Sequence, residues 1–111
     1  MMNGPVTEMA SFMPSITTVG VIIPNRFALL QNYPNPFNPS TTIRYELAKE
    51  SFVSLKVFNL FGEDVATVVE GTRNAGVYTV QLDATTLVSG VYVYRLQAGE
   101  YMETKRMILL R

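Results

Sequence analysis

From Phe27 onward the chain runs in short stretches where apolar and polar residues alternate, with turn residues about every ten positions. Alternation with period two marks a strand that buries one face. TTIRYEL (41–47) puts Ile43, Tyr45 and Leu47 on one face and Arg44 and Glu46 on the other. FVSLKVFNL (52–60) turns Val53, Leu55 and Val57 inward against Ser54 and Lys56. VYTVQLD (77–83) sets Tyr78, Val80 and Leu82 against Thr79 and Gln81. VYVYRLQ (91–97) gives Tyr92, Tyr94 and Leu96 a common face. FALLQN (27–32), DVATVVE (64–70) and YMETKRMILL (101–110) complete the set.

The connections read as turns and loops: AKES (48–51), Phe61-Gly62-Glu63, GTRNAG (71–76), ATTLVSG (84–90) and AGE (98–100). Gly62 supplies the positive φ that a tight hairpin turn asks for. Leu87, flanked by polar residues, is expected to plug the core from the crossing loop. The pattern predicts an all-β fold, an immunoglobulin-like antiparallel β-sandwich of about seven strands with no helix.

Residues 1–26 are weakly patterned and interrupted by Pro5, Pro14 and Pro24. They read as a flexible leader or linker, the tail of something larger, with a short strand in TTVGVII (17–23). The folded unit is therefore expected over 27–111. No Lys or Arg precedes the apolar part of the N-terminus, so a signal peptide of the ordinary kind is not expected.

The stretch YPNPFNPSTT (33–42) fits neither a strand nor a helix. Each proline pushes the residue before it toward extended geometry, here Tyr33, Asn35 and Asn38, and Pro34, Pro36 and Pro39 donate nothing to a ladder. The segment is expected to leave the first strand and cross between sheets as a rigid corner. Tyr33 and Phe37 would anchor it, and Asn35 and Asn38 would bond backbone two residues on. A polyproline-type ligand, with both aromatics exposed, is the functional alternative.

Composition narrows the chemistry. Hydrophobic residues are 48% of the chain and charged residues 16%, enough apolar material for a packed core. Nine basic residues balance nine acidic ones, so nothing draws the chain toward nucleic acid or an anionic membrane, and no apolar run approaches the roughly 18 residues of a membrane span. Without cysteine or histidine there are no disulfides, no Cys/His zinc site and no Ser–His or Cys–His catalysis. The carboxylates Glu46, Glu63, Asp64, Glu70, Asp83, Glu100 and Glu103 are scattered; Glu63 and Asp64 are neighbours that a strand would point to opposite faces. Asp83 reads as a turn cap. No enzyme, cofactor or metal is expected.

Two further stretches stand out. In SGVYVYRL (89–96) Gly90 opens a strand whose tyrosines pack inward while their hydroxyls reach the rim. METKRMILLR (102–111) brings Lys105, Arg106 and Arg111 to a basic end, either a solvated edge or a C-terminal address read through strand addition or a basic face.

Taken in order, YPNPFNPSTTIRYEL, VSLKVFNLFGEDVATVVEG, NAGVYTVQLDATTLVSGVYVYRLQAG and the ending TKRMILLR resemble the C-terminal sorting domain of the type IX (Por) secretion system, type A, from about Leu30 to Arg111. The resemblance implies a seven-stranded sandwich at the C-terminus of a covalently attached upstream cargo. It implies transit through the periplasm of a Gram-negative bacterium, recognition by the type IX translocon and an outer-membrane shuttle protein, and removal by a surface sortase that joins the cargo to an anionic lipopolysaccharide or releases it. Cleavage would fall before Phe27. The family's motifs map onto Ala75, Gly76 and Tyr78 in AGVYTV, onto Gly90 and Tyr92 in SGVYVYRL, and onto Lys105 with the apolar positions that follow it, Ile108 among them, in KRMILLR; with Arg106 and Arg111 of the basic end these are the candidate recognition residues. Family members carry a long cargo, so this chain is expected to be an excised domain, a gene fragment or a short reading frame. NPFNPSTTIRY and VFNLFGEDVATV are also shared with the immunoglobulin-like domain of flagellar hook-capping proteins, an assembly module; the ending TKRMILLR favours sorting. A carbohydrate-binding accessory sandwich would need a planar set of exposed aromatics.

Overall fold

The computed structural model describes residues 15–16 and 22–111. In chain order the strands are β1 (Ser15–Ile16), β2 (Ile22–Ile23), β3 (Ala28–Leu29), β4 (Ser40–Leu47), β5 (Ser51–Phe58), β6 (Asp64–Arg73), β7 (Gly76–Asp83), β8 (Gly90–Ala98) and β9 (Tyr101–Leu109). β1 and β2 pair as a small antiparallel ribbon beside β7. Of the strand expected over 17–23, Ile22 and Ile23 lie in β2, and 17–21 fall outside the described residues. From β3 onward seven strands build two antiparallel sheets, ordered β3-β4-β7 and β6-β5-β8-β9. This is the immunoglobulin-like sandwich that the alternation predicts, and no helix occurs among the described residues.

The core follows the period of two. β4 contributes Ile43, Tyr45 and Leu47, β5 contributes Val53, Leu55 and Val57, and β8 contributes Tyr92, Tyr94, Leu96 and Ala98, all buried between the sheets. Met107 and Leu109 of β9, Leu82 of β7 and Val69 of β6 close it, and Tyr45 stacks on Tyr78 with ring centroids 5.2 Å apart. Leu87 packs against this core from the β7–β8 loop, beside the fully buried Ala84.

Two elements differ from their sequence expectation. The first strand shrinks from 27–32 to Ala28–Leu29, because beyond it the chain touches β4 only at Leu30, whose N–H donates to Arg44 O, and at the isolated bridge where Tyr33 and Thr42 exchange both backbone bonds, each 3.0 Å. The loop expected over 71–76 shrinks to Asn74 and Ala75: Gly71, Thr72 and Arg73 stay paired with Val53, Phe52 and Ser51 of β5. A glycine weakens a strand locally, but a full row of cross-strand bonds on one side outweighs that preference. β6 also carries two register shifts against β5, at Leu55/Lys56 and Val57/Phe58. Such bulges twist an edge strand away from further pairing.

The sandwich has two distinct ends. At the proximal end Phe27 stacks on Tyr101 at the start of β9 (5.4 Å), and Ala28 pairs with Glu46 near the end of β4. At the distal end β4 starts opposite the end of β7 (Ser40 with Asp83), and β9 finishes opposite the start of β8 (Leu109 with Gly90).

Candidate functional site

The distal end is where the proline-rich corner meets the C-terminus. Tyr33 bridges to Thr42 of β4, and Phe37 bridges in parallel to Leu109 of β9, so the segment between them passes from one sheet to the other. Phe37 N donates to Ile108 O (2.9 Å), and Leu110 N donates to Phe37 O (3.0 Å). The Phe37 ring is 2% exposed and belongs to the core. Tyr33 is 81% exposed, which corrects the expectation that it anchors the corner. Its backbone pairs with Thr42, which lies between the buried Thr41 and Ile43 and so faces away from the core, and directly opposed residues share a face; the ring therefore points to solvent rather than between the sheets. With Phe37 buried, the segment also lacks the paired exposed aromatics of a polyproline ligand. The peptide bonds before Pro34, Pro36 and Pro39 are all cis.

The asparagines work differently from expectation. Asn35 does not bond two residues on; its Oδ1 accepts the Ile108 N–H at 2.9 Å, a contact 73 positions away in sequence. Asn38 is exposed. The local turn is held instead by Asn32, which sequence reading passed over. Buried, it donates from Nδ2 to Pro34 O (3.1 Å) and to Thr41 Oγ1 (2.9 Å), and Thr41 Oγ1 donates to Pro34 O (2.8 Å). The Asn32 N–H donates to the Tyr94 hydroxyl, which itself donates to Leu30 O, both at 2.8 Å. A buried polar group needs such partners, and here they tie the corner to β8 in the opposite sheet. Burial pushes the Tyr94 phenol up to about 12, against the Asn32 bond, which favours the ionised form.

The candidate recognition residues divide between the two ends. Gly90 and Tyr92 at the start of β8 lie beside Leu109 and Met107 of β9, and Ile108 lies opposite Val91. Arg111 joins them: its Nη1 donates to the carbonyls of Ala84 (3.1 Å) and Leu87 (2.8 Å) and also reaches that of Thr85, while its N–H donates to Ser89 Oγ (3.0 Å). Gly76 and Tyr78 are not part of this group; they open β7 at the proximal end, opposite Leu47 and Tyr45. The two Gly-Val-Tyr stretches nevertheless do the same thing. Tyr78 OH donates to Asn74 O (2.7 Å) and Tyr92 OH to Val88 O (2.6 Å), each four residues upstream. This is the geometry of a tyrosine corner, in which a hydroxyl pins the loop that feeds its own strand.

The basic end is not one face. Lys105 and Arg106 are neighbours on β9 and point to opposite sides. Lys105 Nζ pairs with Glu103 at 3.3 Å, Arg106 is exposed, and the Arg111 guanidinium is spent on loop carbonyls. Glu103 sits below the usual carboxylate range, chiefly because the Tyr101 hydroxyl donates to it and also through Lys105. Nor is β9 an open edge for strand addition near its end. Arg106 O accepts from Gln31 Nε2 (2.7 Å), and the outward groups of Ile108 and Leu110 bond to Asn35 and Phe37. The corner already occupies the row that an added strand would use. Asp83 caps its turn as expected: the Thr85 hydroxyl and N–H both donate to its carboxylate and hold its pKa low.

The exposed aromatics among the described residues, Tyr33, Phe52 and Phe61, stand on three separate elements, the corner, β5 and the β5–β6 turn, whereas a sugar platform needs them on one plane.

A family model described as secretion system C-terminal sorting domain matches residues 31–110. The chain belongs to this family. A sorting domain implies export, to the cell surface or beyond it. The match runs from the residue beside Asn32 through the end of β9, so it takes in the corner, both tyrosine corners and the basic strand. Among solved structures, PorZ, described as an essential bacterial surface component of the type-IX secretion system of Porphyromonas gingivalis, is similar with a TM-score of 0.53 and 19% identity. The likeness covers 76% of this chain and 12% of the PorZ chain, and at that identity it is a likeness of fold. No curated protein matches the chain in sequence.

Proposed function

We propose that this sorting domain is the type A signal of the type IX (Por) secretion system, carried at the C-terminus of an exported cargo. After the cargo has reached the periplasm, the type IX translocon and an outer-membrane shuttle protein read the folded sandwich. A surface sortase then cuts upstream of Phe27, leaving the cargo on the cell surface or free. The domain acts as an address and not as an enzyme. The observation that carries this reading is the family match over 31–110, which takes in the corner and every strand from β4 to β9. The resemblance of fold to a type-IX surface component supports it.

The burial of Met107 and Leu109, and the lacing of 106–110 to the corner, favour an address read as a folded surface over one read as an unfolded tail. Gly76, Tyr78, Gly90 and Tyr92 then contribute by shaping loops, and Arg111 by holding the β7–β8 loop. The test is a secreted fluorescent reporter fused ahead of the full chain in type IX-competent cells. Reporter at the surface or in the medium, absent from a translocon-deficient strain, is the expected result. Reporter held in the periplasm of competent cells refutes the reading. Arg106→Glu, on an exposed side chain, measures separately what the basic residue adds.

A further inference from the structure

Arg106 is exposed on β9, and its neighbours in space come from two other strands. In β8, Val93 lies opposite Arg106 and Arg95 opposite Thr104; in β5, Lys56 lies opposite Arg95 and Phe58 opposite Val93. The residues that alternate with these, Val57, Tyr94, Leu96 and Met107, are buried between the sheets. Lys56, Arg95 and Arg106 therefore stand together on the outer face of the larger sheet. Arg95 and Arg106 are diagonal neighbours, about 7–8 Å apart along the backbone.

The three cations are not neutralised alike. Lys56 Nζ pairs with Asp64 of β6 at 3.5 Å. The other ion pairs among the described residues are Arg44–Glu46 and Lys105–Glu103, which leaves Arg95 and Arg106 without a carboxylate. The Arg95 guanidinium lies over the Phe58 ring, 4.7 Å from its centroid, and is held against the sheet. The corner uses Arg106 only through its carbonyl, which accepts from Gln31. Lys56 directly opposite Arg95 is a like-charge pair, which costs stability in a sheet. Departures of this kind, which gain nothing for the fold, collect at functional sites.

Charge selects the occupant. The remaining acid of this face, Glu70, stands on β6 opposite Ser54, at the edge away from β8 and β9. The basic side is thus β8 and β9, where the half-buried Val91, Val93 and Ile108 flank the arginines. The whole chain carries no net charge, so a long polyanion or an anionic membrane finds no broad field to draw it in. A short acidic segment needs only the two guanidiniums. The closed edge at 106–110 removes strand addition there, so the contact is made by side chains on the face.

We infer that the outer face of β5, β8 and β9 docks an acidic segment of a protein of the export machinery, whose carboxylates pair with Arg95 and Arg106; this rests on the sorting function proposed above. A guanidinium takes a carboxylate through two parallel hydrogen bonds, and the sheet sets both guanidiniums at a fixed spacing.

Two assays share one set of variants. Arg95→Gln with Arg106→Gln removes two charges from the face. Arg44→Gln with Lys49→Gln removes two exposed charges from β4 and the β4–β5 turn, and is the control. Circular dichroism melts of the purified chains establish that each is folded. A labelled hexaglutamate peptide is titrated with each chain, and the reporter fused ahead of the full chain is followed in type IX-competent cells. The face variant is expected to bind the peptide at least about fivefold more weakly than the parent and to lower surface reporter by a similar factor, while the control stays within about twofold in both. Peptide binding that both variants weaken equally, or export of the folded face variant at the parent level, overturns the docking face. So does a parent dimer in sedimentation that the face variant dissolves, since a second copy would then be the occupant. Parent binding to phosphatidylglycerol vesicles that the face variant loses would put a membrane there and overturns it too. Failure of the parent itself to leave the periplasm sinks the sorting reading instead, a different result from a parent that exports alongside a face variant that also does.

Discussion

Tyr94→Phe measures how firmly the corner is tied to the far sheet. The ring remains in the core, where Tyr94 is fully buried, so its apolar packing is kept. What disappears is one hydroxyl and two bonds of 2.8 Å, to Asn32 N and Leu30 O. Asn32 is buried, and stranding its N–H costs about 1–3 kcal/mol. Leu30 lies on an exposed residue and its carbonyl can turn to water, so its bond adds only the net ~0.5–1 kcal/mol of an ordinary hydrogen bond. The expected loss is about 2–3 kcal/mol, against a total of roughly 4–13 kcal/mol for a folded unit of this size. With a urea slope of about 2 kcal/mol per molar, the midpoint falls by about 1 M, and the melting temperature by about 10–20 °C. A second readout is alkaline pH. The folded state holds the Tyr94 proton up to about 12 where the free phenol releases it near 10.0, so this contribution is complete below pH 10.0 and is lost as pH rises toward 12. Tyr94→Phe flattens that limb in part, leaving the share of Tyr101, which burial and the Glu103 bond also push up to about 12. A variant within about 0.5 kcal/mol of the parent, with an unchanged alkaline limb, would refute the idea that this hydroxyl holds the corner.

Phe37→Ala should cost about 3–5 kcal/mol by opening a cavity at the corner, while Tyr33→Ala stays within about 0.5 kcal/mol, and urea titration of the pair separates anchor from ornament. Arg111→Ala removes the donor to the Ala84 and Leu87 carbonyls; the site is exposed, so a loss of about 1 kcal/mol is expected, with faster amide exchange in the 84–89 loop. In acid, Asp83 and Glu103 both have depressed folded pKa values, so their contribution is present above the unfolded carboxylate range and lost as pH falls through the folded values. Asp83→Asn and Glu103→Gln should each make stability less dependent on pH between about 5 and 2, measured by urea midpoints across that range.

The lacing of β9 also bears on how such a domain stays soluble. A long edge strand offers unpaired backbone to any neighbour. Here the corner covers one edge of the larger sheet at 106–110, and two bulges distort the other edge at β6. Truncating 105–111 would remove Met107 and Leu109 from the core together with the contacts that hold Phe37, so loss of export in such a truncation reports unfolding before it reports recognition.

Alternation alone determined most of the fold. Burying one face of a strand demands period two, and that demand is local, so Ile43, Tyr45, Leu47, Val53, Leu55, Val57, Tyr92, Tyr94 and Leu96 could be assigned to the core from their spacing. The turn at Gly62 and the cap at Asp83 were legible for the same reason, since their partners lie within four residues. Tertiary structure decided everything that depends on partners far along the chain. Asn35 finds Ile108, Asn32 finds Tyr94, and Arg111 finds the carbonyls of 84 and 87. Nothing near these residues in sequence shows the pairing. The same holds for Tyr33, whose ring looked like an anchor until the register with Thr42 turned it outward. A sequence states which residues must be buried; only the closed sandwich states which distant polar groups meet and which apolar ones are left outside.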